Sequence, residues 1–223
     1  MDVPTERAVA AVVAVAREQG LPVARLTVVR DLTNVLVHLE PAPVVARVPV
    51  TLARLREPAW FAEVLALARF LAEAGAPVAP PSDEVDPGPH AYDGLLVELW
   101  AHVDHDRERF DPAAAGGSLR ELHDALGAWP GRLPAFDRLD EVGRLLDSLA
   151  PSQAVAADDL AMLHQAHARL SGEAVVPGRP LHGDAHFRNF LWSPRGPLWT
   201  DLENACSGPV EYDLAAVVWR RPE

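Results

Sequence analysis

The order of apolar and polar residues predicts an antiparallel sheet near the N-terminus. An Ala/Val-rich segment from Pro4 to Gln19 is predicted to form a short helix, and Gly20 follows it as a stop. Three runs rich in β-branched residues come next, and the breaks between them hold Asp, Thr, Asn and Pro, which are typical of turns. We therefore expect a meander of three strands, at Leu26–Arg30, Val35–Glu40 and Val44–Val48.

One more helix and one more strand complete the first hundred residues. Pro58 suits the first turn of a helix, apolar residues follow it at helical spacing, and Gly75 suits the end. The segment from Ala76 to Gly94 is heavy in Pro, Asp and Gly and is predicted to be a loop. The apolar run Leu95–Trp100 then predicts a strand. Residues 1–100 are thus expected to form a sheet crossed by one helix.

Beyond residue 100 the apolar spacing becomes helical. Leucines recur at helical intervals until Pro180, so this half is predicted to be mainly helical. Phe190–Trp192 and Leu198–Leu202 then flank Ser-Pro-Arg-Gly, whose proline and glycine suit a type I turn. The pattern predicts an α+β protein of two lobes: a sheet lobe at residues 1–100, and at residues 101–223 a helical lobe that ends in a hairpin.

Composition excludes several classes of function. All 20 basic residues are arginine and 32 residues are acidic, which gives a net charge of −12. Mechanisms that need a lysine are excluded, and so acidic a chain is not expected to bind nucleic acid. The single cysteine, Cys206, excludes an internal disulfide framework and a thiolate zinc cluster. The longest apolar run near the N-terminus, Ala8–Ala16, is too short for a membrane span, so a cytoplasmic protein without a membrane partner is expected.

The strongest chemical signal lies between residues 181 and 203. His182, Asp184, His186 and Asn189 fall within nine residues, and Asp201 follows at the far end of the predicted hairpin. Because a hairpin folds back on itself, Asn189 and Asp201 are expected to be neighbours. An amide oxygen beside a carboxylate favours Mg²⁺ over softer metals. Asp184 can then orient a hydroxyl group and accept its proton.

The spacing His182-x-Asp184-x-x-x-x-Asn189, followed by Asp201, resembles the catalytic loop and metal-binding aspartate of protein kinases. The glycine after His182, the Asp-Leu-Glu triplet at 201 and the later Tyr-Asp-Leu-Ala resemble the aminoglycoside phosphotransferase and choline-kinase-like family of small-molecule kinases. The resemblance covers nearly the whole chain. It implies a two-lobed protein-kinase-like fold and transfer of the γ-phosphate of ATP or GTP to a small hydroxylated acceptor.

The resemblance also implies roles for individual residues. Catalysis is assigned to Asp184 as base and to His182 as a brace of the loop, and Mg²⁺ binding to Asn189 and Asp201. Asp213 is expected to bond the backbone of the loop. Arg47 is assigned to the nucleotide phosphates, with Glu63 on the crossing helix as its ion-pair partner. The strand Leu96–Trp100, with Glu98 and Trp100, is assigned to the adenine.

Three features depart from the family pattern. Arg47 stands where lysine is usual, no glycine-rich loop separates the first strands, and the chain ends ten residues after Asp213. The C-terminal lobe is accordingly expected to be either truncated or minimal. Two alternatives stay open. One is a catalytically impaired nucleotide-binding module, and the other is a metal-dependent hydrolase using His182, Asp184 and His186, with His164 and His167 as conceivable further ligands.

Overall fold

The β-branched runs of the first hundred residues form one antiparallel sheet in the computed structural model, which describes residues 3–51, 56–106, 108–136, 138–149, 155–171 and 178–219. The strand order is β1-β2-β3-β5-β4, so β3 and its neighbours lie in the interior of the sheet. The five strands are β1 (Val23–Asp31), β2 (Asn34–Pro41), β3 (Val44–Pro49), β4 (His90–Tyr92) and β5 (Leu95–Ala101).

Strand β4 lies inside the segment that the sequence predicted to be a loop. It pairs with β5 through a two-residue turn, in which Asp93 and Gly94 both have positive φ, at 48° and 71°. This is the backbone of a type I′ turn, for which Asp-Gly is a favoured pair. The Asp-Gly pair was therefore the signal for this hairpin.

The first helix, α1 (Thr5–Glu18), covers one face of the sheet. Its Ala and Val side chains pack on the inward residues of β2, β3 and β5. The alternating burial of β2, with Val35, Val37 and Leu39 fully buried, is the pattern of a strand with one face toward a core. Helix α1 and the sheet therefore form the first hydrophobic core.

A second core holds the helical lobe together. Trp199 is fully buried at its centre, and its indole Nε1 donates to Ser118 Oγ at 3.0 Å. The elements of this half are α3 (Pro112–Leu126), α4 (Arg138–Leu149), α5 (Ala157–Leu170), β6 (Arg179–Leu181), β7 (Phe190–Ser193), β8 (Gly196–Trp199), β9 (Cys206–Gly208) and α6 (Val210–Trp219). Strands β7 and β8 form the predicted hairpin, whereas the short pair β6–β9 was not predicted.

The crossing helix, α2 (Pro58–Glu73), packs into the second core and not onto the sheet. Its buried residues Val64, Leu67, Ala68 and Leu71 join the cluster around Trp199. The chain that follows α2 also runs along the hairpin, because Pro77 O accepts from Trp199 N and Ala79 N donates to Trp199 O. The predicted crossing helix is therefore present, and its apolar face lies in the second core. In the described ranges, no helix is long and apolar enough to cross a bilayer.

Replacing Ser118 with Ala tests how strongly the second core depends on its polar link. The substitution leaves the buried indole N–H of Trp199 without its acceptor, so we expect the free energy of unfolding to fall by about 1–3 kcal/mol. Ser148→Ala on α4 is the control, because that exposed hydroxyl bonds the carbonyl of Leu145 in its own helix. Urea unfolding should show Ser148→Ala within about 0.5 kcal/mol of wild type. Equal losses in the two variants would contradict the assigned role of Ser118.

Candidate active site

A single buried carboxylate anchors the loop that follows β6. Asp213 on α6 is fully buried and accepts from the backbone N–H groups of His182, at 2.7 Å, and Gly183, at 2.9 Å. Its Oδ2 also contacts Nε2 of His123 on α3 at 2.8 Å. The prediction that Asp213 bonds the backbone of the loop is confirmed, and the loop is tied to two helices of the second core.

His182 braces the loop from within. Its ring is fully buried, Nε2 lies 2.9 Å from the carbonyl oxygen of Thr200, and Nδ1 accepts from the backbone N–H of Asp184 at 3.2 Å. Because Nε2 faces an acceptor and Nδ1 faces a donor, the ring is neutral and carries its proton on Nε2. Burial also lowers the pKa of His182, against the opposing effect of Asp213. His182 is therefore a positioning residue.

Asp184 emerges from this loop with a half-buried carboxylate. The amide Nδ2 of Asn189 donates to its Oδ2 at 3.2 Å and to its backbone carbonyl at 3.0 Å. His186 Nδ1 accepts from the backbone N–H of Arg188, which leaves the proton on Nε2, 3.4 Å from the same Asp184 Oδ2. The structure thus brings Asp184, His186 and Asn189 together, and two side chains orient the carboxylate.

The hairpin brings Asp201 to the same place. The backbone N–H of Thr200 donates to the carbonyl of Asn189 at 2.9 Å. Asp201 therefore follows directly after the residue that is hydrogen-bonded to Asn189. Asp201 itself has left-handed backbone angles, φ 67° and ψ 58°, which turn the chain from β8 into a 3-10 turn at Leu202–Asn204. Such a conformation is uncommon outside glycine and is often found at functional sites.

Arg47 on β3 is buried among three carboxylates, which we call the carboxylate cage: Glu98, Asp201 and Glu203. Its Nη1 donates to Glu98 Oε2 at 2.5 Å, and its Nη2 contacts Asp201 Oδ1 at 3.1 Å and Glu203 Oε2. Burial lowers the pKa of Arg47, but the three acids together raise it well above its ordinary value. The guanidinium therefore stays charged and joins the sheet to the hairpin.

The ion pair predicted between Arg47 and Glu63 is not formed. Glu63 is exposed on α2 and lines a separate cavity, beside Trp60 and Arg132. The partner of Arg47 inside the sheet is instead Glu98, which lies directly opposite it in the antiparallel pairing of β3 and β5. Because α2 packs on the other lobe, a neighbouring strand supplies the carboxylate that the family pattern assigns to the helix.

Arg47 and the carboxylate cage together carry two more negative charges than positive ones when all three acids are ionised. Burial raises the pKa of Glu203 to about 7, with Arg47 opposing and Asp201 adding to the rise. Burial likewise raises the pKa of Glu98, against the attraction of Arg47. An excess of buried carboxylate charge beside an amide is a suitable setting for a hard divalent cation, so Asn189 and Asp201 fit the Mg²⁺ implied by the resemblance.

A cavity of about 340 Å³ lies between the lobes and ends at the carboxylate cage. Its lining includes apolar side chains such as Val45, Val64, Ala79 and Trp100, and it includes charged groups at Arg47, Asp201 and Glu203, which contact one another. An apolar slot with a charged end suits a nucleotide. The chain leaves the sheet after Ala101, and residues 101–103 line this cavity next to Trp100 of β5.

Glu98 and Trp100 occupy different parts of this region. Trp100 lines the cavity, whereas Glu98 is fully buried and faces Arg47. Oε1 of Glu98 and Nε1 of Trp100 are buried, and neither has a hydrogen-bond partner in the part of the chain that the structure describes. Of the two residues, only Trp100 therefore faces the space that a base could occupy.

The geometry does not favour a zinc hydrolase. Both ring nitrogens of His182 are used by backbone groups, and Nε2 of His167 lies 2.7 Å from the carbonyl of Leu139. Within the described residues, no group of three or more His, Cys, Asp and Glu side chains could hold a metal ion. The amide of Asn189 is a further possible ligand, and Mg²⁺ commonly takes one or two protein carboxylates together with substrate phosphates.

Comparison with known proteins identifies the family. Residues 22–223 match the model of the phosphotransferase enzyme family (APH). The chain belongs to this family. A comparison with curated proteins found no significant sequence match. The family suggested by the catalytic-loop spacing is therefore confirmed by most of the chain.

Solved structures of similar fold include several kinases. An amicoumacin kinase solved with AMP-PNP, Ca²⁺ and its ligand has a TM-score of 0.65 and 13% identity, over 96% of this chain and 71% of that one. Aminoglycoside phosphotransferase APH(3'')-Id from Streptomyces rimosus has a TM-score of 0.57 and 15% identity, over 96% of this chain and 82% of that one. Choline kinase LicA from Streptococcus pneumoniae has a TM-score of 0.57 and 16% identity, over 94% of this chain and 74% of that one. These likenesses confirm the predicted two-lobed kinase-like fold.

Sequence reasoning missed two charged residues of the site. Glu203 completes the carboxylate cage, and its position two residues after Asp201 in Asp-Leu-Glu was visible but received no role. Arg30 on β1 lines the cavity, and a lone arginine in a strand carries no signal of its own. Only the packing of β1 over the loop at residues 182–189 reveals it.

Gly183→Ala tests the close approach of the loop to the turn after β8. Gly183 has φ 78°, and a Cβ there would lie 1.9 Å from the carbonyl oxygen of Asn204. Gly75→Ala is a matched control, because Gly75 has φ 77° and no atom within 4 Å of its Cβ position. We expect Gly75→Ala to cost about 1–2 kcal/mol in unfolding free energy and Gly183→Ala at least about 1 kcal/mol more. Equal costs would show that the contact with Asn204 is unimportant.

The pKa of Glu203 predicts a pH dependence of stability. Because the folded pKa of about 7 lies above the ordinary value of 4.5, the folded state binds more protons than the unfolded state between these pH values. Stability should therefore fall as pH rises from 4.5 to 7 and change no further through this group above 7. Glu203→Gln removes the effect.

The measurement is the difference in unfolding free energy between wild type and Glu203→Gln at several pH values. We expect wild type to lose on the order of a few kcal/mol relative to the variant between pH 5 and 7.5. A constant difference over that range would contradict the raised pKa of Glu203.

Proposed function

We propose that this protein is an ATP-dependent small-molecule kinase that transfers the γ-phosphate to a hydroxyl group. The observation that carries the proposal is the convergence of an oriented carboxylate, Asp184, with the Asn189–Asp201 pair beside a cavity between two lobes. Membership of the phosphotransferase enzyme family supports the reaction class. The AMP-PNP and Ca²⁺ in the amicoumacin kinase support a nucleotide with a divalent cation.

Each member of the site has a proposed role. Asp184 accepts the proton of the acceptor hydroxyl, and Asn189 keeps its carboxylate oriented through the 3.2 Å contact. His182 holds the loop between Thr200 and the backbone of Asp184. Arg47 holds Asp201 in place, and Trp100 contributes to the wall of the base-binding slot. Asn189 and Asp201 would hold Mg²⁺, whose positive charge would stabilise the phosphates in the transition state.

The transfer balances without any further reactant. The acceptor oxygen forms a bond to the γ-phosphorus while the bond from that phosphorus to the β–γ bridging oxygen breaks, which releases ADP. The hydroxyl proton passes to Asp184. Such catalysis depends mainly on position and electrostatics, which agrees with a site in which buried hydrogen bonds fix the side chains.

The acceptor is proposed to be a cationic alcohol, such as an aminoglycoside or an amino-alcohol. The chain carries a net charge of −12, which attracts cations to its surface. The amicoumacin kinase, the aminoglycoside phosphotransferase and the choline kinase among the similar folds are in line with this class. ATP-consumption assays against aminoglycosides, macrolides, choline and related alcohols would identify the acceptor.

One observation favours a second candidate, a nucleotide-binding module of low catalytic power. The Nη groups of Arg47 contact three carboxylates, whereas a phosphate-binding cation needs donors directed at the ligand. Calorimetric titration with Mg-ATP, followed by an assay of phosphoryl transfer, separates the two functions. Binding without transfer to any acceptor in the panel would support the module and contradict the kinase.

Asp184→Asn tests the kinase directly. Loss of the proton acceptor should lower turnover with the identified acceptor by at least about a hundredfold, because a positioned base contributes 10²–10⁴ in rate. The affinity for Mg-ATP, measured by calorimetry, should change by less than about threefold, since Asp184 does not line the cavity. Asp124→Asn, on the exposed side of α3, is the control and should behave as wild type. Full turnover in Asp184→Asn would overturn the assigned role.

A further inference from the structure

Three arginines reach the charged end of the interlobe cavity, and they differ in what engages them. Arg47 is buried in the carboxylate cage, with its Nη groups directed at Glu98, Asp201 and Glu203. Arg30 on β1 and Arg188 in the loop before β7 line the same cavity. Among the described residues, no carboxylate forms an ion pair with Arg30 or Arg188.

Arg30 is held where it meets both lobes. Its Nη2 donates to the backbone carbonyl of Arg188 at 2.5 Å, which fixes one end of the guanidinium over the loop at residues 182–189. Burial lowers the pKa of Arg30, and Asp201 opposes this while Arg188 and Arg47 add to it. Asp201 acts on Arg30 without forming an ion pair with it, so the guanidinium of this half-buried cation remains available to an anion in the cavity.

The turn between β1 and β2 lacks glycine, so side chains and not backbone N–H groups are expected to contact a phosphate here. It consists of Leu32 and Thr33, without the glycines that let backbone N–H groups approach a phosphate closely. Asp31 at its start accepts from the hydroxyl of Thr5 at 2.6 Å, so this turn is tied toward α1. Charged side chains on β1 are therefore the available donors above the cavity.

We propose that Arg30, assisted by Arg188, binds the phosphate groups of the nucleoside triphosphate. A guanidinium can donate two parallel hydrogen bonds to a phosphate, and Arg30 keeps further donors besides the one that contacts Arg188. In this arrangement Arg47 organises the acids of the carboxylate cage, and Arg30 supplies the charge that a lysine and a glycine-rich loop supply in other kinases. The proposal rests on the proposed function, because it requires that the cavity binds a nucleotide.

Calorimetry on the full chain separates phosphate binding from base binding. Titrations with Mg-ATP and with adenosine are made on wild type and Arg30→Gln. Loss of one charge-assisted contact should raise the Kd for Mg-ATP by about tenfold or more and leave the Kd for adenosine unchanged. Arg30→Lys, which keeps the charge but loses the planar fork, should lie between wild type and Arg30→Gln. Arg188→Gln should weaken Mg-ATP in the same direction.

Arg25→Gln is the matched control. Arg25 lies on the same strand, but it is exposed and pairs with Glu40 of β2, away from the cavity. Arg25→Gln removes the same charge from the chain as Arg30→Gln. A loss of affinity that occurs only in Arg30→Gln is therefore not a general electrostatic effect. We expect Arg25→Gln to bind Mg-ATP and adenosine with the same affinity as wild type. Thermal unfolding of each variant without ligand shows whether the fold is retained, and Arg30→Lys with Arg188→Gln keeps the test decisive if Arg30→Gln unfolds.

The outcomes distinguish this inference from the function on which it rests. If wild type binds Mg-ATP and Arg30→Gln binds it equally well, the role of Arg30 is overturned and the kinase proposal stands. If Arg30→Gln weakens adenosine as much as Mg-ATP, Arg30 is a structural residue and the inference also fails. If wild type binds neither ligand, the nucleotide-binding function fails first.

Discussion

The buried contact between Arg47 and the carboxylate cage is the interaction on which the site depends. Arg47 and Glu98 come from adjacent strands of the sheet, whereas Asp201 and Glu203 follow the hairpin of the helical lobe. The two hydrophobic cores are otherwise separate clusters, one around α1 and the sheet and the other around Trp199. Removing one partner of a buried ion pair typically costs about 3–5 kcal/mol, so this contact is a strong link between the sheet and the residues after the hairpin.

The same contact explains the electrostatics of the site. One cation cannot neutralise three acids, and burial raises the pKa of Glu203 to about 7 and also raises the pKa of Glu98. An arrangement with surplus negative charge accepts a divalent cation readily, and the nucleotide phosphates then need their own cations. Arg30 and Arg188 lie on the same cavity, where they can meet that need. Positive and negative groups are thus distributed over both lobes.

The packing of α2 decides which residues take part. Val64, Leu67, Ala68 and Leu71 form its apolar face, and this face joins the cluster around Trp199. Glu63 is then directed away from Arg47 and is exposed. Glu98 takes the place beside Arg47 because strand pairing puts the two residues opposite each other. A short-range change in register would suffice to break this pair, which makes the alignment of β3 and β5 a functional constraint.

The sequence alone determined the local elements and the loop chemistry. Periodicity predicted four of the five strands of the sheet, β1, β2, β3 and β5, and the β7–β8 hairpin, because alternation and turn residues are local properties. The hairpin pattern predicted that Asn189 and Asp201 are neighbours, because the second strand of a hairpin runs back along the first. The role of Asp213 as a backbone anchor was also predicted correctly.

Only the tertiary structure decided which distant residues meet. The helix α2 has an apolar face that could cover either core, so its sequence could not assign Glu63 to Arg47 or away from it. The pairing of Arg47 with Glu98 depends on strand register, and the approach of Arg30 to the loop depends on how the lobes pack. These contacts join residues 51 and 158 positions apart. Local patterns carry no information about such contacts, because they arise from the packing of whole lobes.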